Sequence, residues 1–186
     1  VTGGEDSFTR LWDVKSLEMF REFNGLGGHI QSVALSPDGH FVASASMDHT
    51  VGLWEVAGGR RVAISAKHAE EVQRVSFSPD GRKLVSCGND GSIQLWDSSD
   101  LTPLQGFRTE RGRVWCVAFA PDGRTFLSSG EDGLIRKWEF ERPQGPMVIA
   151  LPRVEILAIS FATGPDRLIA VSRPAGREPG RLSLMS

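Results

Sequence analysis

The chain repeats itself every 42 residues, and this period constrains its fold more than any other feature of the sequence. Four of the five tryptophans keep the spacing, namely Trp12, Trp54, Trp96 and Trp138. An acidic residue follows each of them. A period of about 20 to 50 residues is typical of solenoids, propellers and arrays, in which each repeat buries its core against its neighbours.

Two further columns share this register. One is an aspartate six residues before each tryptophan, at Asp6, Asp48, Asp90 and Asp132. The other is a hydroxyl residue ten before each tryptophan, at Thr2, Ser44, Ser86 and Ser128. The turn triplet Pro-Asp-Gly recurs at 37–39, 79–81 and 121–123, each time after an alternating apolar run that predicts a strand.

Each repeat has room for four short strands and shows no helical periodicity. We therefore expect an all-β fold, a β-propeller of four-stranded antiparallel blades, with an incomplete ring of about four blades in this chain. The predicted segments are the end of a truncated blade at 1–24, blades at 25–66, 67–108 and 109–151, and a degenerate partial blade at 152–186, with Met185 in the tryptophan column. A ring closes with a whole number of blades, so we expect a homodimer or the remainder of a longer chain to complete it.

Residues 75–81 (Val-Ser-Phe-Ser-Pro-Asp-Gly), Ser86 and residues 90–97 (Asp-Gly-Ser-Ile-Gln-Leu-Trp-Asp) resemble the blade signature of the WD-repeat family. The resemblance implies a ring of about seven blades. It also implies a buried hydrogen-bond network of one histidine, one hydroxyl residue, one aspartate and the tryptophan. The complete set here is His68, Ser86, Asp90 and Trp96.

The two flanking repeats depart from this network. They supply Ser44, Asp48 and Trp54 in one case and Ser128, Asp132 and Trp138 in the other. The histidine position holds Leu26 in the first and Glu110 in the second. We expect these blades to be held less firmly, or by another bond.

Catalysis by His68, Ser86 and Asp90 is disfavoured, because the serine and aspartate columns recur without the histidine. The four histidines occupy different positions in their repeats, so no metal site and no cofactor are expected. An enzyme with its active site in the central channel is the alternative from another class. The first strands offer mostly Val, Ala and Cys for such a channel, which disfavours it.

The net charge and the cysteine content limit the classes of partner and the cellular compartment that we expect. The net charge of −2 argues against a nucleic-acid-binding protein, and no apolar run is long enough for a membrane span. The two cysteines, Cys87 and Cys116, cannot form a disulfide scaffold, so we expect a reducing, cytoplasmic location.

Trp115 is the one tryptophan outside the 42-residue register, and its column otherwise holds Gln31, Gln73 and Leu157. Tryptophan and arginine are enriched in interface hot spots, which favours Trp115 and Arg113 as contacts; the alternative is that Trp115 packs against a neighbouring loop. By the family resemblance, the residues before each turn aspartate point toward the usual docking face. We predict a non-catalytic scaffold or sensing module in signalling that docks a protein or peptide through Trp115, Arg113, Gln73, Met47, Asn89, Glu131 and Glu5.

Overall fold

The computed structural model describes residues 1–110, 112–140, 145–150, 154–161, 168–174 and 183–184, and only the backbone of residues 150, 168, 173, 174, 183 and 184. All regular elements in these segments are β-strands, and they form five antiparallel sheets. The prediction of propeller blades is confirmed, and the sheets do not close into a ring across the described residues. Met185 lies outside the described residues.

Each sheet follows the chain in order and lies inside one predicted segment. The first sheet has β1 (Thr2–Gly3), β2 (Thr9–Trp12) and β3 (Met19–Phe23). The second has β4 (Ile30–Leu35), β5 (Phe41–Ser46), β6 (Val51–Glu55) and β7 (Arg61–Ser65). The third has β8 (Val72–Phe77), β9 (Lys83–Gly88), β10 (Ser92–Asp97) and β11 (Pro103–Arg108).

The last two sheets continue the pattern. The fourth has β12 (Val114–Phe119), β13 (Thr125–Gly130), β14 (Leu134–Glu139) and β15 (Met147–Ala150). The fifth has β16 (Val154–Phe161), β17 (Leu168–Pro174) and β18 (Ser183–Leu184). None of the described residues forms a helix of the length and hydropathy needed to cross a lipid bilayer.

The Pro-Asp-Gly triplets form the turns between the first two strands of the second, third and fourth sheets. In the turn at 79–81, the Asp80 carboxylate accepts a hydrogen bond from the Arg82 amide at 3.1 Å and from the Ser78 hydroxyl at 2.6 Å. Gly81 has a φ of 71°, a left-handed conformation that favours glycine. The turn chemistry of the triplet therefore sets where each first strand ends.

The sheets stack side by side, and their cores lie between neighbours. Strands β4, β8, β12 and β16 contact one another in that order and form the inner edge of the stack. One core cluster joins Leu53 of the second sheet to Val75 and Trp96 of the third, and the next joins Ile93 of the third to Trp138 of the fourth. A single sheet therefore buries both faces only when it has a neighbour on each side.

A β-bulge occurs at the same position of every inner strand. The pairing shifts between Ile30 and Ser32, between Val72 and Arg74, between Val114 and Cys116, and between Ile156 and Ala158. The extra residue is the Gln31, Gln73, Trp115 or Leu157 of the column noted above. A bulge bends its strand and redirects a side chain, so these four residues leave the regular alternation of the sheet.

Candidate functional site

The structure brings His68, Ser86, Asp90 and Trp96 together. The Ser86 hydroxyl accepts a hydrogen bond from Trp96 Nε1 at 2.9 Å and lies 2.7 Å from His68 Nε2. His68 Nδ1 lies 2.9 Å from the Ser92 hydroxyl and 3.4 Å from Asp90 Oδ1. His68 is 5% exposed and Ser86 is fully buried, so no substrate can reach the hydroxyl.

Asp90 connects this network to the loop that enters the third sheet. Burial opposes ionisation of its carboxyl, but hydrogen bonds from His68, the Ala69 amide at 2.8 Å and Ser92 outweigh that cost. They hold the pKa of Asp90 well below its usual value. The carboxylate is therefore ionised at neutral pH and ties the loop to the turn.

The second sheet connects its matching residues differently from the third sheet. Trp54 Nε1 donates instead to the Asn24 carbonyl at 3.2 Å, while the Ser44 hydroxyl lies 2.6 Å from the Thr9 hydroxyl. The indole lies across Gly52, where a Cβ atom would overlap the ring. Leu26 is buried in the histidine position and offers no hydrogen-bond donor, and Gly52 leaves open the space that the indole occupies.

Asp48 of the second sheet nevertheless stays hydrogen-bonded. Its carboxylate accepts from the Gly27 amide and from the amide and hydroxyl of Thr50. Burial raises its pKa, but these bonds lower it by more, and the net shift is downward. The aspartate thus ties the entry loop to the turn even without a histidine.

The fourth sheet keeps the serine–tryptophan bond and replaces the histidine with an arginine. Trp138 Nε1 donates to the Ser128 hydroxyl at 2.8 Å. Arg136 is 7% exposed and pairs with Asp132 at 2.6 Å, whereas Glu110, in the histidine position, points into solvent.

Sequence reasoning missed Arg136, although a signal was present. Arg10 lies in the same column of the first sheet and pairs with Asp6 at 2.7 Å. In both repeats the arginine follows the turn aspartate by four residues, and in neither does a histidine stand in the network. In a repeat without the histidine, an arginine four residues after the turn aspartate therefore indicates that an ion pair replaces the histidine hydrogen bond.

The residues before the turn aspartates lie beside the starts of the inner strands. The amides of Met47, Asn89 and Glu131 donate to the carbonyls of His29, Glu71 and Arg113, at 2.9, 2.9 and 3.1 Å. Met47 and Asn89 are half-buried, and Glu131 and Arg113 are exposed. Glu5 is exposed in the corresponding turn of the first sheet. Four of the seven predicted contact residues, Met47, Asn89, Glu131 and Arg113, therefore lie at the same end of the inner strands.

The remaining two predicted contacts, Gln73 and Trp115, share a cavity of about 330 Å³ at the bulges. The lining residues are Gln31, Gln73, Arg74, Trp115 and Leu157. Arg74 was not predicted, because only the bulge turns two successive residues of β8 toward this space. Trp115 is half-buried here, with one side facing the cavity.

Within the described segments, no group of three or more histidine, cysteine, aspartate or glutamate side chains could hold a metal ion. Both cysteines are buried free thiols, and burial raises the pKa of Cys87 and of Cys116. Neither thiol is a nucleophile in this environment.

Comparison with known proteins agrees with this architecture. The family model of the WD domain, G-beta repeat, matches residues 20–55, 59–97 and 101–139, more than half of the chain. The small ribosomal subunit protein RACK1y of Oryza sativa subsp. japonica is 32% identical over 60 residues, which cover 32% of this chain and 18% of that protein. The human serine-threonine kinase receptor-associated protein is 40% identical over 60 residues, 32% of this chain and 17% of its own.

A guanine nucleotide-exchange factor of Rattus norvegicus is 41% identical over 55 residues, 30% of this chain and 13% of its own. The matches therefore span less than a fifth of each relative's length. They identify the repeat and not the activity of a whole protein. The three family-model matches, the four-stranded sheets and the recurring hydrogen bonds together show that this chain belongs to the WD-repeat family.

Proposed function

We propose that this chain is a non-catalytic interaction module that docks a protein or peptide at the bulged end of its inner strands. The observation that carries the proposal is the cavity into which four consecutive inner strands send their bulged side chains, with the half-buried Trp115 in its wall. WD-repeat proteins generally mediate protein–protein interactions. A large aromatic ring at the edge of a cavity gains much from desolvation by a partner.

Several observations disfavour the channel-centred enzyme. In the described residues the one Ser-His-Asp set is sealed in a core and its serine hydroxyl already has two partners. The cavity is lined by two amides, a guanidinium, an indole and an aliphatic side chain, without a nucleophile or a general base. These groups suit recognition, and the flanking Met47, Asn89, Glu131, Arg113 and Glu5 extend the surface.

The proposal is tested by selecting short random peptides on the purified full-length protein and measuring their affinity for variants. Trp115→Ala is expected to weaken the selected peptides by about tenfold or more without changing the melting temperature. Leu104→Ala is the control, because Leu104 is 50% exposed on the edge strand β11 and does not line the cavity. Unchanged affinity in Trp115→Ala would contradict the proposal, and loss of folding would assign Trp115 to the core.

A homodimer that completes the ring is a second candidate. Trp12 and Phe20 are exposed on the first sheet, and this apolar surface fits cover by another blade. Light scattering across a concentration series tests it, with a dimeric mass as the expected result. The two buried free cysteines favour a reducing, cytoplasmic setting for either assembly.

A further inference from the structure

The cavity at the bulges has an apolar side and a polar side. Trp115 of β12 and Leu157 of β16 form the apolar side, and Leu157 is 38% exposed. Gln31 of β4 and the neighbours Gln73 and Arg74 of β8 form the polar side. The volume of about 330 Å³ lies at the small end of ligand pockets, which suits a short peptide segment.

Arg74 is the one charged residue in the cavity lining. It is exposed, and no hydrogen bond or ion pair connects its guanidinium to another of the described residues. Arg10 and Arg136, which are less exposed than Arg74, are both paired with aspartates. A guanidinium matches a planar carboxylate with two parallel hydrogen bonds, so Arg74 is a ready site for one carboxylate.

One acid holds the side-chain amides of Gln73, next to Arg74, and of Asn89, in the neighbouring turn. The Glu71 carboxylate accepts from Asn89 Nδ2 at 2.9 Å and from Gln73 Nε2 at 3.4 Å. Since both nitrogens point to Glu71, the two amide oxygens point elsewhere, and Asn89 Oδ1 is buried without a partner among the described residues. Glu71 therefore orients Gln73 within the cavity wall, whereas Asn89 lies outside the lining.

We propose that the cavity binds a peptide in which a large apolar side chain stands next to an aspartate or glutamate. The apolar side chain packs between Trp115 and Leu157, and the carboxylate pairs with Arg74. This inference rests on the proposed function and names the chemistry of its partner. A side-chain carboxylate fits better than a phosphate, because one guanidinium faces the site and the acidic Glu71 and Glu131 lie on the flanking loops.

The test uses the peptide selection on the full-length protein, with every library peptide amidated at its C-terminus. Wild type is expected to select an aromatic or large aliphatic residue beside Asp or Glu. Replacing that acid with its amide is expected to weaken binding about tenfold, as loss of a charge-assisted pair predicts. Arg74→Gln should bind the acid and amide peptides equally, and Arg74→Glu should select Lys or Arg instead.

Arg82→Gln is the matched control, because Arg82 is an exposed arginine in the turn after β8, at the other end of the strand. It should retain the wild-type preference. Selected peptides without an acid, or an unchanged acid preference in Arg74→Gln, would overturn this inference and leave the proposed function to the Trp115→Ala result. Tighter binding of a phosphoserine analogue would also overturn it. A wild-type protein that selects no peptide would overturn both proposals.

Discussion

The third sheet, β8–β11, and the second sheet, β4–β7, carry the same serine, aspartate and tryptophan columns but connect them differently. In the third, His68 and Trp96 both contact the Ser86 hydroxyl. In the second, Leu26 offers no hydrogen bond, and Trp54 turns over Gly52 to reach the Asn24 carbonyl. A shared column therefore specifies the residue but not its hydrogen-bond partner, because a residue outside the column, such as Gly52, decides where the indole can lie.

The fourth sheet shows a third arrangement. Arg136 reaches Asp132 from the strand instead of from the entry loop, and Trp138 keeps its bond to Ser128. The position occupied by Arg136 holds Gly52 in the second sheet and Gln94 in the third. The identity of this one position thus distinguishes the three arrangements.

The largest effect is expected from Arg136→Gln, which leaves the partly buried Asp132 without its cation. The free energy of unfolding should fall by about 2 to 3 kcal/mol, because the ion pair is largely removed from solvent. Urea unfolding monitored by tryptophan fluorescence measures it. Arg10→Gln is the control in the same column, and its exposed pair should contribute almost nothing. Equal losses of unfolding free energy in the two variants would show that burial does not determine how much this ion pair stabilises the fold.

Gly52→Ala is expected to come next. The new Cβ would overlap the Trp54 ring, so the indole must leave its position, at a cost of about 2 kcal/mol in the free energy of unfolding. Gln94→Ala, at the matching position of the third sheet, should cost no more than about 1 kcal/mol. Thermal unfolding of both variants makes the comparison. A harmless Gly52→Ala would mean that Trp54 can return to Ser44 without loss.

His68→Ala should reduce the free energy of unfolding by about 1 to 2 kcal/mol, because Asp90 and Ser92 lose a buried partner. Calorimetric unfolding is the measurement. The exposed His29, in the preceding entry loop, supplies the control, and its replacement by alanine should stay within about 0.5 kcal/mol. An unchanged melting temperature in His68→Ala together with lost peptide binding would assign His68 a functional role.

The smallest effect is a pH dependence at Asp90. Its folded pKa is lowered, mainly because the hydrogen bonds from His68, Ala69 and Ser92 outweigh burial, so its stabilising effect is complete above the unfolded pKa of about 4. The effect is lost as the pH falls through the folded pKa. The difference in unfolding free energy between wild type and Asp90→Asn should therefore shrink steadily below pH 4 in urea titrations. A difference that grows on acidification would contradict this sign.

The fold was largely predictable because its signals act over short distances. The Asp80–Gly81 turn and its counterparts in the other repeats join strands that lie within about ten residues of each other in the sequence. The alternation of apolar and polar residues shows which face of each strand is buried. The departures at Leu26 and Glu110 correctly indicated that the network changes in two blades. They could not show what replaces it, since that depends on side chains reaching across strands.

The candidate site was predictable only in part. Trp115 was predicted as a contact because it is the one aromatic residue in a column that otherwise holds Gln and Leu, and Gln73 belongs to the same column. Arg74 gave no such signal, because an arginine in an alternating strand is expected to face solvent like any other. The bulge at Gln73 changes that alternation, and a bulge is a property of the paired strands.

By itself, the sequence determined the repeat, the all-β architecture and the order of strands within each sheet, since turn residues and alternation encode these locally. Only the tertiary structure decided which donor meets each buried serine and aspartate. It also decided that Arg74 and Trp115, from consecutive inner strands, share one cavity with Leu157. The physical reason is that hydrogen-bond partners and cavities are chosen by packing between strands and between sheets, where the competing neighbours are distant in the sequence.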